Sequence, residues 1–475
     1  MKRVYNFSAG PATLPEEVLK KASEAILEYD NLGFSLIEMS HRSKPYDKIN
    51  EEAEADMKKI MGLGDDYQVL FMGGGASLQF SMVPMNFLKE GMTADYINTG
   101  VWAGKAVIEA KKEGNINVIA SSEDRKFCYV PKDIKCTEGA AFLHYTTNNT
   151  IYGTEYQFIP DVKVPLVADM SSDMLSRKMD FSKYSLIYAG AQKNLGPAGA
   201  TIIVVKKSFL ETAKDEKELP VMLSYKAHAA KKSIYNTPPV FPIFTVGLVL
   251  KWILAQGGLE EIEKANIKKS DYLYKYLDEN TDFYSPTVDK DSRSRMNVTF
   301  RLVNHDLEPK FIEEAKEVGL VGMKGHRSTG GLRTSIYNAF PYEGVVKLVE
   351  FMEDFKKNSS VPLTFRSASV PDVVPLKTKV LPLASPERSM DLPGIHWLRN
   401  PPRPSAVNVK SFSSEFKPIL EMSVTPLRAT VAVPPKPDPL SLKLKSSMRR
   451  AFTGPETLPE TMSATIPLSL NEGMK

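Results

Sequence analysis

Apolar residues in this chain change spacing repeatedly, and each change marks an element. Pro15-Glu16-Glu17-Val18-Leu19 predicts a helix start, with proline at its first position and acids at its positive end. Tyr46 to Met61 carries apolar residues at helical spacing and stops at Gly62 or Gly64. Val69 to Met72 is a short buried strand, Gly73 to Ser77 a turn, and Leu78 to Leu88 a helix. Strand and helix runs alternate onward to about Val205, which predicts an α/β fold with a mainly parallel sheet. Beyond it lie two helices (Phe244 to Ala255, Leu259 to Leu277), a half-exposed strand (Arg295 to Leu302) and a helix (Pro309 to Val318). A strand (Gly330 to Ile336) and a last helix (Tyr342 to Lys357) complete a smaller α+β domain.

The pattern stops at Lys357-Asn358. Of the 33 prolines, 18 lie from Ser359 to the end, and no helical or strand period survives there. Proline at this density interrupts helices and ladders alike, so residues 359–475 are expected to form a disordered basic tail. That tail holds 15 Lys+Arg against 9 Asp+Glu, leaving 46 against 48 in the first 358 residues. The near-neutral remainder gives no argument for nucleic acid.

A charged fraction of 25% and a hydrophobic fraction of 42% are those of a globular protein, and 475 residues exceed one compact core. Cys128 and Cys136, the only cysteines, make neither a disulfide framework nor a metal site. No apolar leader and no run of about 18 apolar residues occurs, so a cytoplasmic protein is expected.

The chemistry gathers at strand ends. Val164 to Ala168 delivers Asp169, and Ser185 to Ala189 delivers Lys193 among small residues, Gly190-Ala191 before it and Gly196-Pro197-Ala198-Gly199 after. A carboxylate and a lone lysine ending neighbouring buried strands suit pyridoxal phosphate (PLP): the amine forms an imine, and the acid keeps the pyridine nitrogen protonated. Spacing alone leaves Asp169 equally readable as a helix cap. Gly73-Gly74-Gly75-Ala76-Ser77 could be a nucleotide loop, a phosphate cradle or a tight turn; Leu78 breaks the dinucleotide pattern. The backbone amides of Ala76 and Ser77 suit a phosphate. Trp102, between Gly100 and Gly104, is expected on a loop, able to stack on a flat ring. The polar run Thr146 to Gly153 reads as a turn that could offer Thr150 to the cofactor. His41-Arg42, His326-Arg327 and Arg333 suit an anionic substrate, arginine being the residue for bidentate binding of carboxylate or phosphate.

Residues 1 to about 358 resemble the phosphoserine aminotransferases, PLP-dependent homodimers of aminotransferase fold type I. The resemblance rests on Asn6 to Ala12, Met39 to Ser43, Gly73 to Phe80, Asn148 to Ile151, Ala168 to Ser172, Ala191 to Asn194, Asn236 to Pro239 and Gly325 to Arg333, in the family's order. It implies a large domain (16–262) with a seven-stranded, mainly parallel sheet, and a small domain (263–358) joined by residues 1–15. It implies exchange of an amino group between L-glutamate and 3-phosphohydroxypyruvate, giving O-phospho-L-serine and 2-oxoglutarate in serine biosynthesis.

By this resemblance Lys193 is the Schiff-base lysine and Asp169 the partner of the pyridine nitrogen. Trp102 stacks on the ring and Thr150 meets its phenolic side. Ala76, Ser77 and Gln192 contact the phosphate, joined by Asn236 and Thr237 of the other subunit. Arg333 anchors the α-carboxylate, and His41, Arg42, His326 and Arg327 take the substrate's distal anion. A serine– or alanine–glyoxylate aminotransferase and a silent dimeric scaffold are the alternatives. The first would not need two His-Arg pairs, and retention of Lys193 and Asp169 weighs against the second. No family member carries the tail.

Overall fold

The computed structural model describes residues 3–360; the expected tail lies outside them. Seven strands form the main sheet: β1 (Tyr67–Met72), β2 (Thr93–Asn98), β3 (Asn115–Ser121), β4 (Leu143–Thr146), β5 (Leu166–Asp169), β6 (Leu186–Gly190) and β7 (Thr201–Lys206). Their order is β1-β7-β6-β5-β4-β2-β3. β7 runs antiparallel to both neighbours, and the remaining pairs are parallel. The sheet is therefore mainly parallel, and its central strands β5, β6 and β7 read as near-continuous apolar runs because both faces are covered.

The period of two divides each strand between two cores. Val69, Phe71, Ile187, Ala189, Ile202 and Val204 face one cluster, built with α2 (Lys44–Met61) and α5 (Val240–Ala255). Leu70, Met72, Leu186, Tyr188, Ile203 and Val205 face another, built with α3 (Gly75–Phe87) and α4 (Val101–Ala110).

A third core belongs to the C-terminal part. Strands β8 (Tyr284–Pro286), β9 (Asn297–Leu302) and β10 (Leu332–Ser335) form an antiparallel sheet. It packs with α6 (Leu259–Glu279), α7 (Glu308–Glu317) and α8 (Tyr342–Ser360) around Leu273, Phe300, Phe311, Leu348 and Phe355. The helix α1 (Glu16–Leu27) follows an N-terminal segment whose Tyr5–Asn6 pairs in parallel with Leu320–Val321. Phe7 is fully buried in that third core, so the first residues pack with the last third of the described chain.

Two local expectations change. Trp102 lies in the first turn of α4, not on a loop: Gly100 is the residue before the helix, and Gly104 sits within it. The polar run after β4 is a hairpin, Asn148–Asn149 pairing with Thr154–Glu155. Gly153, at φ 78°, turns it; a Cβ there would stand 2.5 Å from Thr299 Oγ1.

Candidate active site

In an open α/β sheet, the carboxyl ends of parallel strands line the binding crevice. Here β5 ends on Asp169, β6 leads to Lys193, β4 to Thr147 and Thr150, β2 to Trp102, and β1 to the glycine turn. Register places Thr146 beside Asp169 and Asp169 beside Tyr188, so these ends are level with one another.

Lys193 Nζ donates to Thr150 Oγ1 at 2.6 Å. Burial lowers the amine to about 8, the Arg333 guanidinium pushes the same way, and Asp169 opposes both. Asp169 is 4% exposed. Burial raises its carboxyl, while hydrogen bonds from Ser171 and the charge of Lys193 pull it back. Its Oδ1 accepts from the Ser171 amide at 2.9 Å and the Ser171 hydroxyl at 2.6 Å. Oδ2 accepts no hydrogen bond among the described residues and is left for a partner such as a protonated ring nitrogen.

The glycine turn is shaped for a phosphate. Gly74 (φ 88°) and Gly75 (φ 68°) bring the chain into α3, whose first-turn amides have no side-chain cap. Ala76 and Ser77 fall in that turn, where free N–H groups and the helix dipole favour an anion. Gln192 folds back along the strand end: a Cβ on Gly190 would meet its Oε1 at 2.6 Å. Trp102 keeps its indole Nε1 buried without a hydrogen-bond partner, and Lys105 Nζ stands 4.6 Å from its ring centroid. Lysine, carboxylate, uncapped amides and indole together fit PLP.

Arg333 Nη1 donates to the Thr150 carbonyl at 3.3 Å, and its Nε is buried without a partner. His326 Nδ1 lies 2.7 Å from Ser328 Oγ. Burial lowers the His326 imidazole, and Arg333, Arg327 and Lys105 reinforce that shift. Cations from α4, from β10 and from the 324–331 loop thus converge. The other expected residues do not join this group within one chain. The side chains of His41, Arg42, Asn236 and Thr237 make no hydrogen bond or ion pair among the described residues, and Arg42, Asn236 and Thr237 are exposed.

Sequence reasoning missed the support behind these residues. Thr147 hydrogen-bonds both the Asp169 carbonyl and the Asp173 carboxylate. Asp173 is raised to about 7, by burial first and then by Glu155, against the pull of Arg177. The N-terminal segment covers the lysine: the Ala12 amide donates to the Gln192 carbonyl at 2.9 Å, and a Cβ on Gly10 would stand 3.3 Å from Lys193 Cγ. Asn194 Oδ1 accepts from the Asn338 amide at 3.0 Å, tying the residue after Lys193 to the turn after β10. Asn338 and Tyr337 gave no local signal, since their partners are distant in sequence.

Residues 4–348 match the family model for aminotransferase class V. A phosphoserine aminotransferase of Desulfatibacillum aliphaticivorans is 55% identical over 360 residues, covering 75% of this chain and 99% of that protein. The solved phosphoserine aminotransferase of Bacillus circulans subsp. alkalophilus superposes with a TM-score of 0.74 at 49% identity, covering 76% of this chain and all of the other. A PLP-bound phosphoserine aminotransferase from Trichomonas vaginalis gives 0.70 at 36% identity, over 74% of this chain and 100% of its own.

Proposed function

This chain belongs to the aminotransferase class-V family, as a PLP-dependent phosphoserine aminotransferase, and from that premise we propose which residues hold the cofactor and both substrates. The reaction is reversible amino transfer between L-glutamate and 3-phosphohydroxypyruvate, with O-phospho-L-serine and 2-oxoglutarate as products. Bound PLP supplies an aldehyde for the amine and a ring that accepts the electron pair left at the substrate α-carbon.

Lys193 would hold the aldehyde, with Asp169 as the partner of the ring nitrogen; Trp102 would cover the ring, Thr150 would meet its oxygen side, and Ala76, Ser77 and Gln192 would receive the phosphate. The observation that carries this reading is Lys193 Nζ on Thr150 Oγ1 at 2.6 Å, with Asp169 buried beside the amine. An amine lowered to about 8 loses its proton far more readily than an ordinary lysine, so Lys193 can take a proton from the substrate α-carbon and return it. The depressed amine owes most to exclusion of water, which the N-terminal segment maintains from above.

Arg333 binds the α-carboxylate with its fork, fixing the Cα–H bond toward Lys193. His41, Arg42, His326 and Arg327 take the distal anion: phosphate in one half-reaction, the glutamate side-chain carboxylate in the other. Within one chain Asn236, Thr237, His41 and Arg42 are left over, which supports a homodimer with sites at the interface. In this reading residues 16–262 form the cofactor-binding domain and 263–358 the small domain, in a cytoplasmic setting. No single helix among the described residues is long and apolar enough to cross a membrane.

A single-turnover spectrum tests the reading. O-phospho-L-serine is expected to convert the cofactor band rapidly to the amino form, with L-alanine and L-serine reacting far more slowly. Equal rates for all three would remove the anion pocket. A colourless Lys193→Ala protein with wild-type turnover would remove the lysine assignment.

A further inference from the structure

Lys269 is the most unusual lysine of the described chain outside the site. It lies on α6 and is 2% exposed. Its amine faces backbone only, donating to the carbonyls of Ile336 (3.0 Å), Tyr337 (2.6 Å), Asn338 (3.4 Å) and Phe340 (3.2 Å). An ammonium has three protons, so four acceptors saturate it. No carboxylate lies within ion-pair distance of it among the described residues, and burial lowers the amine to about 7. A buried cation without a counter-ion is costly, and one served by four carbonyls fixes the segment supplying them.

That segment, the turn after β10, reaches Lys193 by two routes. The Asn338 amide donates to Asn194 Oδ1 at 3.0 Å, next in sequence to Lys193. The Asn338 side chain is itself gripped by Asn266, one turn from Lys269 on α6, at 2.8 Å. Tyr337 Oη donates to the Ala9 carbonyl at 2.8 Å, holding the segment whose Gly10 lies against the Lys193 stem.

We propose that Lys269 is a positioning residue for Lys193: by clamping the Ile336–Phe340 turn it holds Asn194 and the Ala9–Gly10 cover in place, enclosing the reactive amine from two sides. The inference rests on Lys193 being the cofactor lysine.

Lys269→Met keeps most of the side chain's length and removes its donor amine. In the full-length holoenzyme, kcat is expected to fall about 10-fold or more while KM for O-phosphoserine stays within about 2-fold, the signature of a misplaced proton carrier rather than a lost substrate contact. In apoprotein, the pH dependence of covalent PLP uptake, followed by absorbance, reads the free Lys193 amine. Its midpoint should rise above the wild-type value in Lys269→Met, because a loosened cover lets water reach the amine. Asn194→Ala removes the acceptor of the Asn338 amide and should move the midpoint the same way. The double variant should move it no further than the larger single change.

A folded Lys269→Met protein with unchanged kcat and midpoint would reduce Lys269 to a structural residue and overturn the proposal. If Lys269→Met does not fold, Asn194→Ala decides: an unmoved midpoint there overturns it equally. Covalent uptake persisting in Lys193→Ala would instead overturn the lysine assignment itself, whatever the Lys269 variant does.

Discussion

Thr150 touches Lys193 and Arg333 at once. Its hydroxyl accepts from the Lys193 amine at 2.6 Å and its carbonyl from the Arg333 guanidinium at 3.3 Å. In the proposed reading, the amine that moves the proton and the fork that holds the carboxylate are therefore referenced to a single residue. Thr150 follows a hairpin strand whose Asn149 is fixed to Thr99 at 2.8 Å, so the reference point does not depend on the cleft contents.

Thr150→Val keeps the carbonyl and removes the hydroxyl. We expect kcat to fall about 5-fold, with KM for both amino acids changed much less, since one hydrogen bond of ~1 kcal/mol is lost at the amine. Steady-state kinetics with O-phosphoserine check this; a loss confined to KM would show that Thr150 acts on substrate.

Arg333→Lys retains the charge and loses the fork. KM for both L-glutamate and O-phosphoserine should rise about 10- to 100-fold, because each presents the same α-carboxylate to a bidentate partner. Arg327→Gln should separate the two substrates, weakening the phosphorylated one more. A variant of Arg327 that leaves KM for O-phosphoserine unchanged would remove it from the anion pocket.

Asp169→Asn leaves the two Ser171 hydrogen bonds possible but removes the negative charge opposite the ring nitrogen. On the order of 100-fold or more should be lost from kcat, as for removal of a preorganised charge-stabilising group. The protein should remain folded, since burial already opposes the ionised form of Asp169. Thermal unfolding alongside turnover separates these effects.

His144 predicts a pH dependence of stability. It is 1% exposed, its Nε2 lies 2.8 Å from Tyr188 Oη, and burial lowers it to about 3. The unfolded chain binds a proton at this residue near pH 6.5, whereas the folded chain does so only near 3. Between those values the unfolded state carries more protons, so stability falls as pH falls through this window. Urea unfolding at pH 7 and pH 4.5 should show a smaller drop for His144→Gln than for wild type; an equal drop would mean that His144 contributes nothing to acid sensitivity.

Gly74→Ala should weaken cofactor retention. Gly74 has φ 88°, and an added Cβ would stand 2.3 Å from Leu78 Cδ2 and 2.9 Å from Leu78 Cβ. The chain must rearrange at the uncapped start of α3, at a cost of about 1–3 kcal/mol. Dialysis against cysteine, followed by absorbance, should strip PLP faster from the variant.

What the sequence disclosed was local. Asp169, Lys193 and the glycine turn each sit at the end of a short apolar run, so strand periodicity alone places them on one edge. The same reasoning put Trp102 on a loop, because Gly100 and Gly104 look like loop residues when read without the helix between them. The antiparallel run of β7 was not legible either, since a fully buried strand reads identically in both directions. Lys269 had a signal that went unread: with Ile262, Leu273 and Leu277 it falls on the buried stripe of α6, where a lysine is out of place. Its partners are backbone carbonyls some 70 residues away, and carbonyls leave no mark in a sequence.

Tyr5–Asn6 precedes every other strand of the described residues, yet its parallel partner is Leu320–Val321. The segment covering Lys193 therefore has nothing to pair with until Leu320 and Val321 have been made. The seven-stranded sheet, whose last strand ends at Lys206, can form while the Lys193 amine is still uncovered. Closure over that amine waits for residues made long after it, so the order of synthesis makes a guarded lysine a late product of translation rather than an early one.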